Sequence, residues 1–400
     1  MNQKSTIKVL TFLMFMMFGM TTESVGVIIP KIIEEFHLTM TEAGAFHYAP
    51  MTAIALAGIL LGFLADKIGR KRSIVLGLML FAVASYLFAA GNSFLYFVAL
   101  LAISGVAIGI FKTGALALVG DITNSTTEHT STMNTVEGFF GMGAIIGTAI
   151  VARLVAAGFS WKYLYVIAGT VCVALIFTAL SVKYPVTMKR TEEPIDLSRT
   201  MQMMGDPYAL AFSSGIFLYV AVECAIYVWM PTLIKDQHGF FALYALTIFF
   251  VVRAIGRFVG AWVLAHFDWT TVLALFSFAI LLCFAGSVWF GASIAVFLLP
   301  TSGLFMSVVY PTLNSKGISC FQKSQHGAVS GVILFFTCVS AALGPLAMGF
   351  VGDTFHDPKA GFVLATFFAA LLFLGSLLNF LRKPASARLL QLEESEYAAH

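Results

Sequence analysis

The chain has 400 residues, 59% of them apolar and only 11% charged, and its mean hydropathy is +0.91. A soluble globular domain carries roughly 25% charged residues, so a globule surrounded by water is excluded and most side chains must face lipid or other helices. The net charge of +3 is too small to suggest a nucleic-acid partner, and the basic residues gather at the ends of apolar runs rather than on one face.

Those runs fall at about 8–32, 43–65, 73–91, 95–120, 131–157, 162–184, 207–234, 240–265, 269–290, 292–314, 325–352 and 359–382. An apolar helix needs about 20 residues to cross a bilayer. Backbone groups in hydrocarbon must be satisfied within their own segment. The pattern therefore predicts an all-α membrane protein with twelve transmembrane helices. The first run is long enough to span and no small-residue cleavage site follows it, so it does not read as a removable signal. Cys172, Cys224, Cys283 and Cys338 lie inside apolar runs and Cys320 in a loop. With no C-x-x-C spacing, neither a metal site nor a disulfide is expected.

Residues 185–206 are polar and mixed in charge, and read as a cytoplasmic linker between two six-helix bundles, 1–184 and 207–382. Residues 383–400 read as a soluble, poorly ordered cytoplasmic tail. With the N-terminus inside, fifteen Lys and Arg residues fall on the cytoplasmic side and four outside, namely Lys31, Lys162, Lys235 and Lys359. The positive-inside rule then places both termini in the cytoplasm. The halves echo each other: the first helix of each carries one glutamate, Glu23 and Glu223, followed by Pro30 and Pro231. Each glutamate lies about 22 Å along its helix at 1.5 Å per residue. Matching acids fit a parallel repeat with its substrate site near the midplane, where the halves meet.

An ionisable side chain at bilayer depth costs about 2.5–3.5 kcal/mol on insertion scales, so it faces a partner or an aqueous cavity. The intramembrane set is Glu23, Lys112, Glu137, Arg153, Glu223, Arg253 and Arg257. Structural ion pairs between helices compete with function for every member. Arg153 lies near a helix end from which it can snorkel, and Arg257 suits support of the fold or a gate. Glu223 is the sharpest candidate, because Tyr219, Glu223 and Tyr227 share a helical face at i, i+4, i+8, with Trp229 nearby. Aromatic rings cover the C–H face of a sugar while a carboxylate accepts from its hydroxyls. The same carboxylate could carry a proton. Glu137 follows Asn134 in a run whose glycines at 138, 141, 143 and 147 favour close packing; gating or pairing with Lys112 competes with solute contact. Tyr310 and Asn314 add polar groups beside a kink at Pro311, though Asn314 could serve only as a cap.

Between the second and third runs stands Gly62-Phe-Leu-Ala-Asp66-Lys-Ile-Gly69-Arg70-Lys71-Arg72. This stretch resembles the signature loop of the major facilitator superfamily. The resemblance implies that Gly62, Asp66, Gly69, Arg70 and Arg72 hold the inner face closed. The second half does not repeat the loop cleanly, since Leu264 stands where the acid would be. Three further stretches look like the fucose/galactose/glucose cation symporter branch: residues 218–223 with Trp229, residues 137–147, and Tyr310-Pro311-Thr312. Ala221 stands where the branch has glycine, and Thr148 where a proline often follows.

That resemblance implies the major facilitator fold, a multi-pass protein of a bacterial inner membrane and a monomer. It also implies alternating access by rocking of 1–184 against 207–382 around a central cavity. The solute would be a hexose or hexose derivative coupled to a proton or sodium ion, with no other cofactor. Glu223 and Tyr219 would contact the solute, and an acid on the first helix, the place of Glu23, would serve coupling. Two alternatives stand beside this one. Lys112 and Arg253 would suit a sugar acid or another organic anion. A drug or metabolite efflux antiporter is the other, though its helix-five motif requires the Gly-Pro that Gly147-Thr148 lacks.

Overall fold

Every regular element among the described residues is a helix; the computed structural model describes residues 3–61, 64–123, 126–185, 202–322 and 325–398. The chain divides into two compact units, Met1–Thr191 and Glu192–His400. Most of the expected linker, residues 186–201, lies outside the described residues.

In the first unit, α1 (Gln3–Thr22) and α2 (Val25–Phe36) form one helical stretch interrupted only at Glu23 and Ser24. They are followed by α3 (Ala45–Leu61), α4 (Arg70–Leu87), α5 (Phe94–Ile122), α6 (Thr126–Ala156) and α7 (Tyr163–Ser181). In the second unit, α8 (Pro207–Cys224) passes into a π-helical turn, Ala225–Trp229, before α9 (Ala245–His266) and α10 (Trp269–Phe290). Then come α11 (Ala292–Met306), α12 (Val309–Ser319), α13 (His326–Phe355), α14 (Pro358–Arg382) and α15 (Pro384–Ala398).

Ten helical stretches among the described residues are long and apolar enough to cross a membrane. The expected second and third spans are not among them. Helix α3 has 17 residues and ends where residues 62 and 63 lie outside the description, and α4 opens on Arg70, Lys71 and Arg72. The expected tenth span is broken at Ser307 and Val308, four and three residues before Pro311. Proline removes the hydrogen bond to the i−4 carbonyl and its ring crowds that carbonyl. For Pro311 the carbonyl is that of Ser307.

The two units repeat one packing plan. α1 packs on α6 as α8 does on α13, and α3 on α5 as α9 on α11. Likewise α4 packs on α5 and α7 as α10 does on α11 and α14. The loops repeat too: a single helical turn, Met40–Ala43 or Phe240–Leu243, precedes α3 and α9. Thr39 closes a capping box with Glu42 at the first of these turns, satisfying two otherwise orphaned backbone donors.

The α1–α6 contact is made by backbone against backbone. A Cβ at Gly143 would fall 1.9 Å from the Met16 carbonyl oxygen, one at Gly147 2.0 Å from that of Met20, and one at Gly19 2.2 Å from that of Phe140. The expectation of close packing holds for Gly143 and Gly147 but not for Gly138 and Gly141, which face open space. Residues 138 and 141 lie on another side of the helix from 143 and 147, because each residue turns the chain by 100°. In the second unit, a Cβ at Gly344 of α13 would fall 3.0 Å from Ala221 of α8. The glycine of that contact lies on α13, the counterpart of α6.

The tail departs from expectation: it is helical from Pro384 to Ala398. Ala385 is buried and its carbonyl lies 4.0 Å from the Cys320 Sγ, while the Arg388 guanidinium lies 5.8 Å from the Tyr208 ring centroid. Burial there pushes the Cys320 thiol up to about 11. Docking contacts of this kind supply what a short helix lacks by itself.

Gly143→Ala should cost about 1–3 kcal/mol through overpacking, read as a fall in the melting temperature of the purified protein in detergent. Gly141→Ala should be neutral or mildly stabilising in the same measurement.

Candidate functional site

Glu223 lies near the C-terminal end of α8, just before the π-helical turn. Pro231 explains why the helix changes there, since it gives no backbone hydrogen bond to the Tyr227 carbonyl. A π turn absorbs such a fault, and π turns recur at functional sites. The Glu223 carboxyl is 11% exposed and pairs with the Arg253 guanidinium of α9. The Tyr219 hydroxyl, one helical turn back and fully buried, lies 3.1 Å from Glu223 Oε1 and 2.9 Å from the carbonyl of Met306, the last residue of α11. Arg257, one turn beyond Arg253, also acts electrostatically on Tyr219.

The structure therefore brings together Glu223, Tyr219, Arg253 and Tyr310, whose ring centroid is 6.2 Å from that of Tyr219. Asn314 sits one turn further along α12 and is half-buried. Two further residues expected to contact the solute, Tyr227 and Trp229, have partners of their own. Tyr227 stands within the π turn, and its hydroxyl meets the Cys224 Sγ at 2.7 Å. Trp229 is buried, and its indole N–H donates to the Pro345 carbonyl at 2.9 Å, fastening the π turn to α13.

In the first unit, Glu23 stands at the interruption between α1 and α2, half-buried. The Ser24 hydroxyl donates to the Met20 carbonyl at 2.7 Å and so covers one acceptor of the break. Each half thus places its acid at an irregular turn of its first span. Lys112 does not pair with Glu137 among the described residues: its ammonium lies 5.2 Å from the Phe140 ring centroid, a cation–π contact. Asn134 and Glu137 are exposed on the same helix as Phe140.

At the signature loop, Gly62 and the Asp66 side chain lie outside the described residues. Gly69 has φ +90° and precedes α4, a conformation an L-residue adopts only with strain. Arg70 is buried, and its Nε lies 3.1 Å from Asp121 Oδ2 at the end of α5. Lys71 donates to the Leu180 and Val182 carbonyls at 2.8 Å, capping α7, while Arg72 is exposed. Nearby, Lys8 pairs with Glu128 at 2.7 Å, joining α1 to α6. The sequence reading missed Asp121 and the Met306 carbonyl. Asp121 had a signal, an acid at the end of a long apolar run; a carbonyl has none.

A family model of the Major Facilitator Superfamily matches residues 11–345. The chain is 24% identical over 400 residues to the L-fucose-proton symporter of Escherichia coli (strain K12), covering 90% of each. It is 23% identical over 362 residues to the glucose/galactose transporter of Brucella abortus (strain 2308), covering 85% of this chain and 86% of that one. The crystal structure of the nucleoside transporter NupG superposes with a TM-score of 0.74 at 15% identity, over 95% of this chain and 99% of that one, a likeness of fold. The chain thus belongs to the Major Facilitator Superfamily: it is a multi-pass membrane transporter and not an enzyme.

Proposed function

We propose that the protein is a secondary active transporter that carries a sugar or sugar derivative by cation symport with alternating access. The observation that carries this reading is the Glu223–Tyr219–Arg253 cluster, a carboxylate held at bilayer depth by a base and a phenol. An acid so placed is a functional residue by default. The names of the relatives, a fucose-proton symporter and a glucose/galactose transporter, supply the solute class. The printed name of one relative, a fucose-proton symporter, supplies the proton as the species Glu223 takes up. Helices α3 and α4 complete twelve spans, the excess of Lys and Arg puts both termini in the cytoplasm, and a bacterial inner membrane is the location. The compact units are the bodies that the cycle moves, with the Arg70–Asp121 pair bracing the inner end of the first.

A sugar acid is the second reading. Away from helix ends, the second half carries Arg253 and Arg257 against the single acid Glu223, and the surplus base suits an anion. Uptake of labelled hexoses and hexuronates into proteoliposomes, with a pH-sensitive dye inside, decides between the two. Absence of solute-dependent proton or sodium movement rejects the coupling.

Glu223→Gln should lower net proton-driven uptake by about tenfold or more while exchange of internal for external solute survives, since coupling energies of 1–3 kcal/mol correspond to about 5–150-fold. Equal loss of both would instead make Glu223 a binding residue alone. Arg70→Leu should destabilise the protein by about 3–5 kcal/mol, because it leaves Asp121 buried and unpaired. Adding Asp121→Leu should recover much of that loss; a thermal-melt double-mutant cycle without such recovery would deny the pair its bracing role.

A further inference from the structure

The Tyr219 hydroxyl has one proton to give and two acceptors to face. Glu223 Oε1 lies at 3.1 Å and the Met306 carbonyl at 2.9 Å. An ionised carboxylate and a backbone carbonyl can only accept. While Glu223 is charged, therefore, the phenol satisfies one acceptor and leaves the other without its hydrogen. Once Glu223 is protonated, its O–H donates to the Tyr219 oxygen and Tyr219 donates to Met306. Both contacts become hydrogen bonds without any change of geometry.

The place of Met306 gives this choice a consequence. It ends α11, immediately before Ser307 and Val308 interrupt the span. That interruption is seated on α9, where a Cβ at Gly256 would fall 2.7 Å from the Leu304 carbonyl oxygen and one at Gly260 2.1 Å from Val308 Cγ1. The same helix carries Arg253, the ion-pair partner of Glu223. Carboxyl, phenol, helix break and arginine thus close a ring through α8, α11 and α9.

We propose that Tyr219 is the positioning residue that transmits the protonation of Glu223 to the interrupted tenth span. Proton uptake fixes Tyr219 on the Met306 carbonyl and frees Arg253 from a charged partner; proton release returns Arg253 to the carboxylate and makes Met306 compete for the phenolic hydrogen. The proton comes from and returns to water, and Arg253 stays cationic throughout. This deepens the proposed function and rests on its reading of Glu223 as the proton carrier.

Within the C-terminal unit, the charges acting on Tyr219 are Glu223, Arg253 and Arg257. Elements packed against α8 add Tyr227, Tyr310 and Cys338, and Lys316, whose ammonium lies 5.7 Å from the Trp269 ring centroid. Asp353, Lys359 and Arg382 stand near the ends of α13 and α14. Glu223 is the one carboxyl acting on the phenol among the described residues of that unit.

Infrared difference spectra of the purified protein, carrying ring-¹³C tyrosine and stepped through pH, test this without any solute. A carboxyl C=O band that Glu223→Gln removes should titrate together with a shift of a tyrosine C–O band. In Tyr219→Phe that tyrosine shift should vanish and the carboxyl band should move. The labelled wild-type chain supplies the coupled titration even if Tyr219→Phe fails to fold.

In proteoliposomes given labelled D-glucose, D-galactose, L-fucose or D-glucuronate, Tyr219→Phe should flatten the pH profile of net uptake. It should add no further loss to Glu223→Gln. A tyrosine band that stays still while the carboxyl titrates, or a wild-type pH profile in Tyr219→Phe, overturns the proposal. Failure of the wild type to take up any of the four sugars rejects the solute class and leaves the spectra to decide; absence of a Glu223-dependent carboxyl band rejects the proton carrier and this inference together.

Discussion

A charge or a backbone carbonyl removed from water must find its partner inside the protein, because hydrocarbon offers none. The irregular features of this chain follow from that constraint. Arg253 and Tyr219 answer the Glu223 carboxylate, and Asp121 answers Arg70 at the opening of α4. Where a helix departs from regular geometry, a side chain supplies a bond to the backbone. Ser24 does so at Met20, Trp229 at Pro345 beside the π turn, and Tyr219 at Met306. Breaks that would otherwise expose backbone to lipid are held in place by these contacts.

The duplicated packing plan explains why the two acids sit where they do. In each unit the first span carries an acid at an irregular turn and packs closely on the fifth. The halves then diverge in chemistry. The first unit invests its buried pair at the signature loop through Arg70 and Asp121. The second has Leu264 instead of an acid in the corresponding stretch and concentrates its charges deeper, on α8 and α9. The first unit thus pairs its charges at a helix entrance and the second beside the irregular turn of its first span.

The coupling proposed for Glu223 rests on partners that compete for its carboxyl. An arginine pairs with the carboxylate, while a phenol that also faces a carbonyl can make a second hydrogen bond when the carboxyl carries a hydrogen. A carboxyl held by a base alone would be a structural ion pair. Cation uptake and solute carriage can be linked only if the two protonation states differ in what they hold together, and here they differ at the break in the tenth span.

Much of this was legible in the chain itself. Apolar runs of bilayer length dictate helices, the basic cluster at Arg70–Arg72 marks a helix entrance, and a lone Glu223 deep in such a run announces a site, because each is a local consequence of hydrocarbon solvation. The tertiary structure alone decided which partners those groups take. Asp121 lies 51 residues from Arg70 and Met306 lies 87 from Tyr219, and a carbonyl leaves no mark in a residue pattern. Glycines 138 and 141 look like 143 and 147 until a neighbouring helix selects one face. The docking of Pro384–Ala398 was hidden for the same reason: a short polar helix owes its order to a surface built by residues far away in the chain.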